Sequence, residues 1–169
     1  SPSRDGVAPL DSSTVADAAS TLLRMFDQVD GGFSRSPKFP QPVFLKFLLD
    51  VRHVVDETTR GTIDHTLRLT LDRMACGGIF DQVGGGFHRY SVDAHWIVPH
   101  FEKMLYDQAQ LARVYGIASR VYADEFYANV ARRTIECVRR DFRDGSSSDG
   151  GFFSGAPARL TWAPRDAGA

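Results

Sequence analysis

Apolar residues recur at i, i+3, i+4 and i+7 in five stretches of the 169-residue chain, and each such stripe predicts an amphipathic helix. The first, over 13–28, carries Val15, Ala19, Leu22, Leu23 and Phe26. The second, over 42–55, is built on Phe44, Phe47, Leu48, Val51 and Val55, and the third, over 61–75, on Ile63, Leu67, Leu71 and Met74. Phe101, Met104, Leu105, Leu111, Ala112 and Tyr115 mark a fourth over 99–121, and Tyr127, Val130, Ala131, Val138 and Phe142 a fifth over 124–142. No stretch of comparable length alternates apolar and polar residues as a half-buried strand does. The pattern predicts an all-α protein.

The connections repeat as well. Gly31-Gly32-Phe33 follows the first helix, Gly85-Gly86-Phe87 the third and Gly150-Gly151-Phe152 the fifth. Glycine permits positive φ and close backbone approach in such a turn, and the phenylalanine is placed to plug the hairpin beneath. Equivalent turns after every second helix are what stacked helical hairpins give. Hairpins of this length closed into a ring form an α/α toroid, of which this chain holds about two and a half hairpins. The expected organisation is an N-terminal tail over 1–12, a partial toroid over 13–154 and an irregular C-terminal tail over 155–169. An incomplete ring leaves inner helices uncovered, so association with a partner through them is expected.

Composition narrows the picture. The net charge is −1, and the arginines are spread along helices, which argues against a nucleic-acid partner. Cys76 and Cys137 stand in no paired spacing and read as buried core thiols. No apolar run is long enough to cross a bilayer, and residues 1–10 lack the basic start and apolar stretch of a signal peptide. A soluble, cytoplasmic protein with no membrane partner is the expectation. The first residue is serine rather than methionine, which points to part of something longer.

Candidate chemistry gathers in 77–111, GGIFDQVGGGFHRYSVDAHWIVPHFEKMLYDQAQL, a connection far richer than a helix-to-helix turn requires. With residues from 99 onward helical, His100, Lys103 and Asp107 fall along one flank of the apolar stripe, and Glu102, Tyr106 and Arg113 on the other. His100 reads equally as an acid or base near neutral pH and as a residue that satisfies turn amides. Lys103 and Glu102 read rather as structural. Within the loop, His88, Arg89, Tyr90, Asp93, His95 and Trp96 offer an acid or base, a cation, hydroxyl and carboxylate groups and a flat apolar face. Such a mix suits a sugar-like small molecule, and Asp81 adds a second carboxylate. Paired carboxylates can hydrolyse a glycosidic bond, whereas bases with a histidine can move a proton beside a carbonyl, and spacing alone does not choose between them. The same groups would equally well tie the loop to its helices.

Other motifs carry less. His88, His95 and His100 match no zinc signature, and Gly84–Gly86 lacks the strand before and the Gly-Lys-Ser/Thr after that a phosphate loop needs, so neither metal nor cofactor is expected. Pro37-Lys38-Phe39-Pro40 and Pro42 enforce an extended strap, in which Lys38 is positioned to meet an anionic group. The basic run Arg132, Arg133, Arg139, Arg140 and Arg143 is interleaved with Glu136, Asp141 and Asp144, as on a solvated helix face.

GGFSRSPKFPQP at 31–42, the whole of 77–111 and GGFFS at 150–154 together resemble the thioredoxin-domain-containing family related to spermatogenesis-associated protein 20. The resemblance covers about 13–154. It implies an α/α toroid similar to six-hairpin glycosidases and N-acylglucosamine 2-epimerases, preceded in the family by a thioredoxin-like domain. That domain and its cysteine motif are not in this sequence, so no redox role carries over. After Ser154 the family continues with an acidic stretch and further hairpins, whereas this chain runs GAPARLTWAPRDAGA. A truncated or frame-shifted product is therefore expected, and a toroid-coding continuation in the surrounding genomic DNA would bear it out.

The sequence thus points to a fragment of a carbohydrate-active-like toroid, either sugar epimerase/isomerase or glycosidase-like. His88 and His100 are the candidate acid/base groups, and Asp81, Arg89, Tyr90, Asp93, Trp96, Glu102 and Asp107 the candidate substrate contacts. A toroid site collects residues from all its hairpins, so the fragment alone is expected to be inactive. The rival reading is a non-catalytic binding or scaffold module.

Overall fold

The structure, a computed structural model, describes residues 12–144 and 150–157. Its helices are α1 (Ser12–Met25), α2 (Pro42–Val51), α3 (Glu57–Cys76), α4 (Leu105–Tyr122) and α5 (Glu125–Cys137), the last running into a π-helical turn over Val138–Phe142. Two three-residue strands, β1 (Glu102–Met104) and β2 (Gly155–Pro157), pair antiparallel. Five helices at these places give the all-α partial toroid. α2 and α4 pack side by side, α1 and α3 flank α2, and α5 lies along α4.

Local chemistry sets the helix boundaries. α3 begins four residues before its apolar stripe because Asp56 caps it, accepting the backbone N–H of Thr59 at 3.0 Å. Asp124 caps α5 through Phe126 N–H at 2.9 Å. The predicted fourth helix needs a larger correction. Residues 99–104 are extended: Pro99 bridges Ser91, and Lys103 pairs with Ala156 in the short sheet. α4 starts only at Leu105, so the expected helical flanks joining His100, Lys103 and Asp107, and Glu102, Tyr106 and Arg113, do not exist. An extended chain alternates sides instead, which buries Lys103 between its half-buried neighbours Glu102 and Met104.

The core runs between the helix layers through fully buried Leu45, Leu48, Ile63, Leu67, Leu71 and Leu111. Tyrosines then lock α4 and α5 to α3. Tyr115 donates to the Leu71 carbonyl (2.8 Å), Tyr122 to Asp64 (2.8 Å) and Tyr127 to Asp72 (2.7 Å). Each brings a large apolar ring into the interior while its hydroxyl finds an acceptor. Cys137 is buried as expected, but Cys76, at the last position of α3, is exposed.

The glycine turns are copies of a longer unit than the Gly-Gly-Phe triplet. Residues 26–33, FDQVDGGF, and 80–87, FDQVGGGF, agree at seven of eight positions. They fold alike. Asp27 exchanges backbone hydrogen bonds with Gly31 and Gly32 (both 2.9 Å), and Asp81 with Gly85 (2.8 Å) and Gly86 (2.9 Å). Each aspartate side chain also accepts two backbone N–H groups of its own turn: Val29 and Asp30 in the first, Val83 and Gly84 in the second. Each then receives a buried lysine, Lys38 on Asp27 and Lys103 on Asp81, both at 2.8 Å. Phe33 and Phe87 plug the interior, packing on Phe44 of α2 and Tyr115 of α4. At the third turn Asp144 N–H again bonds a glycine carbonyl, that of Gly151 (2.9 Å), but Phe152 is half exposed.

The expected tails fall almost entirely outside the described residues. Where they are described they differ from irregular chain, since Ser12 is already helical and Gly155–Pro157 form β2.

Two glycines predict opposite responses to one added methyl. Gly31 holds φ +71°, and a Cβ there would meet the Thr70 backbone at 2.8 Å, so Gly31→Ala should destabilise by about 2–4 kcal/mol. Gly61 sits in α3 with open space around it, and Gly61→Ala should stabilise by roughly 0.5–1 kcal/mol. Urea denaturation of both variants checks the pair.

Candidate functional site

The loop between α3 and α4 is held from two sides. From the first turn, the strap brings Lys38 into a two-way backbone exchange with Ser91, at 2.8 Å each way. Asp30, the one position where the two turn units differ, accepts Trp96 Nε1–H on its carbonyl and His95 Nδ1 on its carboxylate, both at 2.8 Å. From the second turn, Lys103 Nζ donates to Asp81 Oδ2 and to the Gly85 carbonyl, each at 2.8 Å. Between these anchors the loop doubles back on itself. Arg89 N–H bonds the Glu102 carbonyl, His100 N–H the Tyr90 carbonyl and Val92 N–H the Val98 carbonyl.

That doubling places residues 88–90 against 100–102. His88 is 5% exposed, with the ring of Phe101 edge-on to it at 5.5 Å. His100 stacks on Tyr90 at 4.6 Å, and Phe39 of the strap continues the stack. Arg89 pairs with Glu102 at 3.2 Å. Asp107, 8% exposed in the first turn of α4, lies within electrostatic reach of both.

Of the nine residues expected at a site, His88, Arg89, Tyr90, His100, Glu102 and Asp107 come together here. Asp81 lies beneath them, joined through Lys103, and both act electrostatically on His88. Asp93 and Trp96 stand apart. Asp93 accepts backbone N–H groups from His95 (2.6 Å), Ile97 (3.2 Å) and Val98, and so ties its own loop. Trp96 is fully buried against Gly32 and Lys38 and has no ring face free for a ligand. Lys38 does meet an anion, but the anion is Asp27 of its own turn.

Three contributors were not among the nine expected site residues: Phe101, 67% exposed beside His88, Tyr106 beside Arg89, and Phe39. The residues before Leu105 looked helical because Pro99 resembles a helix start and Phe101 and Met104 continue the stripe. The extended path is imposed by pairing with 88–92 and with β2, and β2 has no sequence signal of its own.

The electrostatics are divided. Burial drives the His88 imidazole down to about 4, and the Lys103 cation adds to the effect, with Asp81 opposing and His100 reinforcing. Burial drives the Asp107 carboxyl up to about 6, with Arg89 opposing and Glu102 reinforcing. Asp81 feels burial too, but the Lys103 hydrogen bond and the Gly84 and Val83 N–H groups hold its carboxyl below the usual range. At pH 7 His88 is therefore neutral. His88 Nδ1 and Asp107 Oδ2 are buried without a hydrogen-bond partner. A buried polar atom left unpaired costs about 1–3 kcal/mol.

No family model matches the chain. Over 163 residues it is 45% identical to spermatogenesis-associated protein 20 of Mus musculus, covering 92% of this chain and 20% of the relative. It therefore spans about a fifth of the length of the curated relatives it matches. In fold it is similar to the cellobiose 2-epimerase of Spirochaeta thermophila, with TM-score 0.67 at 15% identity over 87% of this chain and 39% of that one. It is equally similar to a sugar epimerase from a ruminal bacterium, with TM-score 0.68 at 12% identity over 87% and 40%.

The Asp107 shift sets the sign of a stability test. Between pH 3.8 and about 6 the unfolded carboxyl ionises before the folded one, so the wild type loses stability as pH rises through that window. Asp107→Asn removes this loss. Relative to wild type the variant should gain on the order of 1–2 kcal/mol on going from pH 4 to pH 7, read by urea denaturation at both values.

Proposed function

On the premise that this chain is a homologue of part of spermatogenesis-associated protein 20, folded as a partial α/α toroid of the sugar-epimerase kind, we propose that its loop cluster moves a proton beside the carbonyl of a sugar. The observation that carries the reading is the buried, neutral His88 with its unpartnered Nδ1.

A base that takes a carbon-bound proton must be unprotonated at working pH and shielded from water. His88 meets both conditions. In the proposed step its imidazole accepts the proton from the carbon next to the carbonyl, and the C–H electron pair moves into an enediolate. The Arg89 guanidinium supports the negative charge on oxygen. Return of a proton to the opposite face of that carbon gives the epimer, and delivery to the neighbouring carbon gives the ketose–aldose isomer. His100, half exposed and stacked on Tyr90, is placed to exchange protons with solvent and serves as the second acid/base group. Tyr90 and Phe101 offer ring faces to the apolar side of the sugar, while Glu102 and Asp107 accept its hydroxyls. Asp81 acts through Lys103 rather than on the ligand. No cofactor enters the step.

One observation supports a second reading, in which the module is a non-catalytic scaffold. Asp27, Asp81, Asp93, Lys38 and Lys103 all spend their charge on holding backbone turns.

Deuterium wash-in separates the two readings, since it needs only the proton-abstraction half of the reaction. The chain and the full-length mouse relative are incubated with glucose, mannose and cellobiose in D2O, and loss of the C2 proton is followed by NMR. The proposal expects exchange that falls at least about 100-fold in His88→Gln. No exchange by either folded protein favours the scaffold, and release of reducing ends from cellobiose without exchange would point to hydrolysis instead.

A further inference from the structure

Continuing the alignment of the two turn units by two residues sets Ser34 opposite His88 and Arg35 opposite Arg89. Both units keep a buried polar atom without a partner at that place, Ser34 Oγ in the first and His88 Nδ1 in the second. Ser34 and Arg35 line a cleft of about 540 Å³ between the end of α1 and the strap, walled entirely by residues of 24–29 and 33–35. We propose that this cleft binds a small organic phosphate, a phosphorylated sugar or polyol, with Arg35 and Ser34 donating to the phosphoryl oxygens and Gln28 to the hydroxyls.

The repeat shows why a cleft exists here. In the second unit the long loop folds back over the equivalent ground: Ile79 N–H donates to the Trp96 carbonyl (3.2 Å), and the Ile97 carbonyl lies against Gly78. Ile79 is fully buried as a result, whereas Met25, its counterpart, is 49% exposed. The first connection reaches its helix at Pro42 and has no such loop to lay back. Gln82 shows the same contrast, spending its amide on the Ala75 and Gly77 carbonyls (2.9 and 3.1 Å). Its counterpart Gln28 borders the cleft, and among the described residues its side chain has no hydrogen-bond partner.

The free groups define the ligand. Arg89 is paired with Glu102, but Arg35 has no ion pair or hydrogen bond among the described residues. Arg24, bonded to Thr21, adds a second cation to the wall. Asp27 is the one acid there, and its oxygens are already taken by Lys38 and by the Val29 and Asp30 N–H groups. Guanidinium, hydroxyl and amide donors together suit a phosphoryl group, which accepts in several directions. The volume is that of a small-molecule site rather than of a bare ion. Because serine replaces the histidine, the site lacks a base and serves binding alone. It stands apart from the proton-transfer proposal and does not rest on it.

The test titrates the whole chain with glucose 6-phosphate and follows the backbone amides by NMR. Saturable shifts at 28, 34 and 35 are expected, with the amides of 88–90 unmoved. Glucose, inorganic phosphate and sulfate should each bind at least about tenfold more weakly. Arg35→Gln should weaken glucose 6-phosphate about tenfold or more. Ser34→Ala should weaken it several-fold while the ligand-free melting temperature holds or rises, since the hydroxyl it removes is unpaired; a purely structural serine would lower that temperature. The absence of shifts at 28, 34 and 35, or unchanged affinity in both variants, overturns the proposal. Shifts confined to 88–90 would assign the ligand to the loop cluster and overturn it too. Equal binding of inorganic phosphate or sulfate would mean an adventitious ion only, and equal binding of glucose would remove the phosphate from the claim.

Discussion

Two buried lysine–aspartate pairs hold this structure's connections in place. In each turn unit the aspartate has already spent one oxygen on its own backbone N–H groups, and the lysine closes the other. Lys38 is fully buried, so it depends wholly on the Asp27 carboxylate and on the Trp96 ring, 5.3 Å from its Nζ, for compensation. Lys103 is nearly as buried and adds the Gly85 carbonyl. Losing one partner of such a pair leaves an uncompensated charge in the interior, at a cost of about 3–5 kcal/mol. The glycines at 31, 32, 85 and 86, all at positive φ, allow the backbone to curl tightly enough for the carboxylate to reach its N–H groups. Strap, long loop and strand β1 all take their positions from these two anchors.

The proposed function is layered on that frame. The residues that hold the loop are fully partnered, whereas His88 and Asp107 keep buried atoms without partners and are pushed in opposite directions by the same burial. Their linkage effects oppose one another. As pH falls from 6.5 to about 4, the folded state loses stability because His88 cannot take the proton that the unfolded chain accepts. Over nearly the same window Asp107 contributes the reverse. The pair thereby masks its own cost in an acid titration of the whole protein, although each group is individually unfavourable. Lys103 links the layers, since the cation that completes the second turn is also one that disfavours protonation of His88.

Much of this was legible in the residues. Five apolar stripes predicted five helices, and the recurring Gly-Gly-Phe predicted hairpin connections, because both signals are local. The repeat is in fact deeper, reaching back through Phe-Asp-Gln-Val, and the aspartate in it carries the turn. Six of the nine expected site residues converge because they lie within twenty positions of one another. Their arrangement was not legible. Residues 99–104 carry a helical stripe and a proline suited to a helix start, but pairing with 88–92 and with β2 overrides both, as tertiary context does when local preference is weak. Trp96 has the composition of a sugar platform and the location of a core residue. Only the Asp30 carbonyl, 66 positions away, decides between them.

The central claim is that the twin turns hold His88 as a neutral, water-shielded base over a buried cation. An NMR titration of the His88 imidazole in the intact chain tests it most directly. Protonation with a midpoint near 4 is expected, and a midpoint at the ordinary value near 6.5 would contradict the buried environment on which the proposed chemistry rests.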